Sequence, residues 1–283
     1  MKITSFAVNG TESYGVVTDD GVIDAKQLAG GPQTLRGAIA VDALGVIEKA
    51  AAGKSADYSF DEIEFLPVIT DPDKVFCVGL NYRSHVTEGG NRPEPEWPMI
   101  FTRYPNSHVG QGQPMIKPKV SDKFDYEGEM ALIIGKTCRH VPEADALSVV
   151  AGYSCYNDGS IRDYQRHTSQ FVSGKTFYHS GAFGPWMVTS DEITDPATLT
   201  LITRLNGEEM QRATTDDLLF NCNQLIHYLS TVTELYPGDV IVTGTTGGVG
   251  FYRDPQVFMK EGDTVEVELD KIGILSNPII NEK

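Results

Sequence analysis

Short apolar runs punctuated by turn-forming clusters dominate the chain, and the runs have strand length. Val75 to Val78, Met130 to Gly135 (MALIIG), Val150 to Tyr156 and Val240 to Thr243 are four to seven residues each and read as buried strands. Asn9-Gly10 and Asp19-Asp20-Gly21 are turn signals on either side of a further strand, Tyr14 to Thr18. Asn206-Gly207 predicts another hairpin, and Pro237-Gly238-Asp239 a turn into the Val240 strand. Apolar residues at mixed spacings of three and four predict a helix over Leu35 to Ala52. Shorter helices are predicted near Pro142 to Val149, Ile161 to His167 and Leu218 to Val232. Strands outnumber helices without a regular βαβ alternation, which argues against Rossmann and barrel folds and for a mixed, β-rich α+β fold. Asp71-Pro72-Asp73 reads as a linker. It divides a small α+β unit, residues 1–70, from a larger one, residues 71–283.

Composition narrows the class. The 283-residue chain has a formal net charge of −16, which opposes binding to nucleic acid or an anionic membrane. No stretch approaches 18 consecutive apolar residues, and MKITSFAVNG lacks the apolar core of a signal peptide, so a cytoplasmic protein is expected. Cys77, Cys138, Cys155 and Cys222 have no C-x-x-C spacing and read as reduced packing residues.

Three clusters carry candidate chemistry. In the first, a strand over Glu127 to Leu132 would aim Glu127 and Glu129 at one face, because side chains alternate with period two. Asp158 ends the Val150 strand, and if the two strands are neighbours all three carboxylates converge. Such a set would repel itself unless something positive sat within it, and its hard oxygen donors suit Mg²⁺, Mn²⁺ or Ca²⁺. An E-x-E alone arises easily in a chain with 39 Asp and Glu, so its company decides. The second cluster is Asn81 to Glu88, where His85 and Glu88 share a face if helical. A carboxylate on one imidazole nitrogen would leave the other as a base, next to the turn-rich Gly89-Gly90-Asn91-Arg92-Pro93. Residues 80–95 are therefore expected to form a lid. In the third, Arg162 and Gln165 lie three apart, followed by Gly174-Lys175 and by the glycine-rich Thr243 to Gly250. That loop has no P-loop lysine and no G-x-G-x-x-G.

In chain order, KVFCVGLNYRSHVTE (74–88), DYEGEMALIIG (125–135), AGYSCYNDGSIRDYQ (151–165), GKTF (174–177), GPWMVTSDEI (184–193), LNGEEMQRATTDD (205–217), LYPGDVIVTGT (235–245) and EGDTVEVELDKIGILSN (261–277) resemble the fumarylacetoacetate hydrolase family. The resemblance implies that family's rolled β-sheet fold, usually as a homodimer. It implies a divalent metal, Mg²⁺ first and Mn²⁺ or Ca²⁺ as alternatives, on Glu127, Glu129 and Asp158. His85 and Glu88 fall at a water-activating dyad and Lys175 at the active-site lysine. Arg162 and Gln165 match pocket-lining positions, and Thr245 a threonine that contacts the substrate carboxylate. The family often reads T-G-T-P-x-G-V-G; Thr246 stands here in place of the proline. The activity expected first is hydrolysis of a C–C bond in a 2,4-dioxo acid. The alternative is isomerisation, decarboxylation or tautomerisation of related 2-oxo acids. A metal-stabilised binding protein without catalysis is a third reading, opposed by the intact set of polar residues.

Overall fold

A computed structural model describes residues 1–29, 31–90 and 93–283. Among these, the apolar runs assemble an eleven-stranded mixed sheet. Its path runs through Val22–Asp24, Thr11–Val17, Lys2–Val8, Gly181–Thr189, Val150–Asn157, Gly128–Ile134, Val240–Thr245, Val75–Gly79 and Met99–Thr102. Glu64–Phe65 pairs with Lys2–Val8, and His108–Val109 with Gly181–Thr189, off that path. Most neighbours are antiparallel, but Val240–Thr245 lies parallel to Val75–Gly79. A second sheet orders Glu208–Thr214, Thr200–Leu205, Thr264–Leu269, Gly273–Asn281 and Met115–Lys117.

The central strand Gly128–Ile134 shows why its sequence is continuously apolar. Met130, Leu132 and Ile134 join a core that includes Val267 and Leu275 of the second sheet. Ala131 and Ile133 join a different core, with Leu35, Ile39 and Ile47 of the N-terminal helices. Alternate side chains thus leave opposite faces, and both faces are covered.

The N-terminal segment continues the large sheet. Lys2 and Ile3 pair with Val188 and Met187, so residues 1–70 and the remainder share both a strand ladder and a core. The expected Leu35–Ala52 helix is two, Leu35–Ala40 and Leu44–Ala51. Asp42 adopts a left-handed φ of 56°, and the Val41 and Asp42 N–H groups bond back to Gly37 and Ile39, which ends the first helix. The Leu218–Val232 expectation narrows to Cys222–Val232, because Asn221 and Gln224 form a reciprocal cap there. All four cysteines are free thiols. Among the described residues no helix is long and apolar enough to cross a membrane.

Candidate active site

The three carboxylates meet through strand register. Gly128 pairs with Asn157, so Glu127, just before one strand, lies beside Asp158, just after the other. The Asp158 N–H donates to the Glu127 carbonyl at 2.9 Å. One carboxylate oxygen from each of Glu127, Glu129 and Asp158 falls within 4.8 Å of the others, and all three residues are buried. Gly128, pointing to the opposite face, is needed as glycine: a Cβ there would sit 2.0 Å from Thr203 Oγ1 of the second sheet.

Buried cations surround this cluster. Lys175 Nζ lies 2.5 Å from Glu127 Oε2 and 2.6 Å from Asp158 Oδ2. It is carried by the short helix Val172–Lys175, which approaches Arg162–Gln165 so closely that a Cβ on Gly174 would stand 2.4 Å from the Gln165 nitrogen. Arg162 lies 2.7 Å from Glu127 through Nη1, donates from Nε to Asp125 at 2.8 Å, and donates to Gln165 Oε1 at 3.1 Å. Arg103 donates to Asp158 Oδ1 at 2.6 Å and to the Gly159 carbonyl, and its other nitrogens reach Ser107 and Ser180. Asp125 in turn accepts the Gly250 and Phe251 N–H groups.

Among the described residues the charges of this cluster do not balance. Asp125, Glu127, Glu129 and Asp158 are four buried carboxylates against three buried cations, Arg103, Arg162 and Lys175. Burial would raise the Glu127 pKa, but the Lys175 and Arg162 charges overcome it and hold the carboxyl at about 2. Burial lowers the Lys175 pKa, but the charges of Asp158 and Glu127 more than offset this and raise it above its ordinary value. Glu129 carries the surplus. Its side chain accepts the Gly244 N–H, but no cation lies within ion-pair distance among the described residues. Burial, then the charges of Asp158 and Glu127, push its carboxyl well above the usual range. Three converging oxygen donors with one uncompensated negative charge fit a hard divalent cation.

Across the cavity from these acids stands the helix Arg83–Glu88. His85 is buried and lines the cavity, its Nδ1 bonded to Glu88 Oε1 at 2.6 Å. The other Glu88 oxygen accepts the Gly248 N–H at 2.7 Å. Ser84 Oγ is 3.0 Å from Asp217, 2.9 Å from Thr246 Oγ1 and accepts the Gly247 N–H at 3.2 Å. The helix expected to serve as a lid is therefore latched to the glycine-rich loop. Asn91 and Arg92 of the expected lid lie outside the described residues. At the base of the helix, buried Asn81 ties Thr243 to Phe220 through both ends of its amide.

The cavity, open to solvent on one side, measures about 380 Å³. Glu127, Glu129, Asp158, His85, Arg162, Gln165, Lys175 and Thr245 all line it, so one pocket gathers these eight residues; Glu88 reaches it through His85. The Thr245 hydroxyl is already engaged, donating to the Gly128 carbonyl and accepting from Gln211 Nε2. Sequence reasoning missed Arg103, Gln211 and the structural use of Asp125. Asp125 stands inside the acidic motif and was within reach; Arg103, in FTRYPNS, has no spacing that links it to Asp158.

Fold and cavity together define a rolled-sheet protein with a buried acid-lined pocket. A family profile described as "Fumarylacetoacetate (FAA) hydrolase C-terminal" matches residues 74–280. The Bos taurus protein named mitochondrial oxaloacetate tautomerase FAHD2A is 40% identical over 239 residues, covering 84% of this chain and 76% of that one. Two solved structures align over the whole of both chains. One is maleylpyruvate hydrolase from Sphingobium sp. SYK-6 with manganese(II) and pyruvate, at 28% identity and a TM-score of 0.83. The other is 5-carboxymethyl-2-hydroxymuconate delta-isomerase from Mycobacterium smegmatis, at 30% identity and a TM-score of 0.78. The chain belongs to the fumarylacetoacetate hydrolase family and is an enzyme of that superfamily.

Proposed function

We propose that the enzyme catalyses keto–enol tautomerisation of a 2-oxo acid, beside a divalent cation held by Glu127, Glu129 and Asp158. The observation that carries this reading is the His85–Glu88 pair facing a buried acidic cluster with one surplus negative charge. Mg²⁺ or Mn²⁺ suits the donor set, and manganese accompanies pyruvate in the Sphingobium structure. When bound, such a cation supplies Lewis acidity to the oxygens of a 2-oxo acid.

The chain's own residues account for the proton. Glu88 holds His85 Nδ1, which fixes the tautomer and leaves Nε2 to exchange a proton with the substrate. His85 removes a proton from the carbon next to the carbonyl and, as the imidazolium, returns that proton to the 2-oxo oxygen; no water is consumed. Lys175 places a protonated amine beside the oxygen on which negative charge develops. Arg162, Gln165 and Thr245 line the wall that would receive the substrate carboxylate. The relatives named as oxaloacetate tautomerases favour this chemistry over the C–C hydrolysis expected first from sequence. Hydrolysis is the second reading, favoured by the full-length likeness to maleylpyruvate hydrolase, since the same dyad could instead deprotonate water.

Product mass separates them. Enol oxaloacetate supplied with Mg²⁺ or Mn²⁺ should convert faster to the keto form with no change in mass, and 2,4-dioxo acids should survive. His85→Ala should slow that conversion by about 10²–10⁴-fold, the usual cost of losing a general base. Products carrying an added water, with no acceleration of the tautomer exchange, would sink the tautomerase reading and leave the hydrolase.

A further inference from the structure

We propose that Arg166 forms a second carboxylate subsite at the cavity mouth, selecting 2-oxo acids that bear a distal carboxylate. This rests on the proposed reading of the acidic cluster as the end that takes the 2-oxo acid group. Among the described residues the cavity is lined by three Arg and Lys side chains, Arg162, Lys175 and Arg166. Two of them are neutralised. Arg162 pairs with Asp125 and Glu127, and Lys175 with Glu127 and Asp158. Arg166 has no carboxylate within 4.0 Å among the described residues.

Its placement is directional. Arg162 and Arg166 are four apart and both lie over one ring: the Phe251 centroid is 6.0 Å from the Arg162 guanidinium carbon and 4.0 Å from that of Arg166. A line of contacts thus runs from Glu127 to Arg162, over Phe251, to Arg166 at the solvent side. A guanidinium stacked on Phe251 would keep its N–H edge open for a fork of two hydrogen bonds to a carboxylate. The ring also removes water from one face of the guanidinium, which strengthens an ion pair relative to one in open solvent. Thr168 is also on the lining, its hydroxyl bonded to the Gln170 main chain. Val78, Phe101 and Phe171 add apolar surface to the same lining. An acid with a carboxylate at each end of a short carbon chain matches that pattern of polar, apolar and cationic surface. A monocarboxylic 2-oxo acid would leave Arg166 unused.

Binding, measured calorimetrically on the Mn²⁺-loaded full chain, tests this without reference to turnover. The probes are 2-oxoglutarate and 2-oxopentanoate, and oxaloacetate and 2-oxobutanoate, each pair differing in its distal carboxylate. Wild type should prefer the dicarboxylate of at least one pair by about tenfold, the scale of one charge-assisted contact. Arg166→Ala should abolish that preference while monocarboxylate affinity holds, and Arg166→Lys should recover part of it. A wild type without preference, a preference that survives Arg166→Ala, or equal weakening of both members of a pair would overturn the subsite. If the preference behaves as expected but no tautomer exchange or hydrolysis is seen with any of them, the reaction reading fails and the subsite stands.

Discussion

Of the four buried carboxylates around the cavity, Glu129 is the one with no cation within ion-pair distance among the described residues, and its behaviour should report the metal site directly. Burial and two neighbouring carboxylates raise its folded-state pKa well above a glutamate's ordinary 4.5. Without metal, ionising it therefore costs more in the folded than in the unfolded chain, and that stability is lost as pH rises above about 4.5. Glu129→Gln should have a higher melting temperature than wild type in the presence of chelator, by a margin that grows between pH 5 and 7.5. The same variant should lose most of the stabilisation by Mn²⁺, which in wild type reaches about 2.7 kcal/mol at 100 times Kd. A margin independent of pH would remove the surplus-charge argument. His108 offers the opposite sign. Its ring is buried against the Tyr156 hydroxyl, and burial followed by the Arg103 charge holds its pKa well below 6.5. The unfolded chain then binds a proton that the folded one refuses. Stability falls as pH drops below about 6.5, by at most about 1.4 kcal/mol per unit. Chemical denaturation between pH 7 and 5 should show that slope in wild type and a shallower one in His108→Gln.

At the scale of elements, the candidate site is held by three pieces of chain that sequence reading located with different success. The strand carrying Glu129 was legible because its apolar run is buried on both faces, and the expected neighbour relation to the Val150 strand is the one found. Asp158 follows from that register. The helix Arg83–Glu88 was legible from the three-residue spacing of His85 and Glu88, which the structure bonds at 2.6 Å. What pins it was not legible, because Asp217 and Thr246 lie 133 and 162 residues from Ser84 and nothing local announces a contact over that distance. The same holds for Arg103, 55 residues from the Asp158 it supports. Thr246, which appeared only as a departure from the family's proline, turns out to be bonded to Ser84. Ser84→Ala should loosen this latch by removing its bonds to Asp217, Thr246 and Gly247 at once. Amide hydrogen exchange across 83–88 should quicken by about tenfold or more, since each lost hydrogen bond is worth about 0.5–1.5 kcal/mol. Exchange in the strand 128–134 should stay as it was. Unaltered protection of 83–88 would mean that Glu88 and Gly248 hold the helix by themselves.

The family profile begins at residue 74, and we propose residues 1–70 and 71–283 as the two units of this chain. Their junction carries main-chain and core interactions of the kind found inside a domain. Lys2–Val8 hydrogen-bonds to Gly181–Thr189, which pairs with Val150–Asn157, the strand that ends one residue before Asp158. Ala131 and Ile133, on the strand face that Glu129 shares, join a core with the N-terminal helices. Stripping the first unit away would leave the Gly181–Thr189 strand with an unpaired edge and uncover that core, so the two should unfold together. Ile3→Ala tests the coupling in the intact chain. Ile3 is fully buried opposite Met187, and its truncation should cost about 2–5 kcal/mol. Calorimetry should show one transition moved to lower temperature as a whole, with added Mn²⁺ raising that same transition. A second transition appearing at low temperature, with the metal-sensitive one left in place, would instead make the N-terminal unit an independent domain that the candidate site does not need.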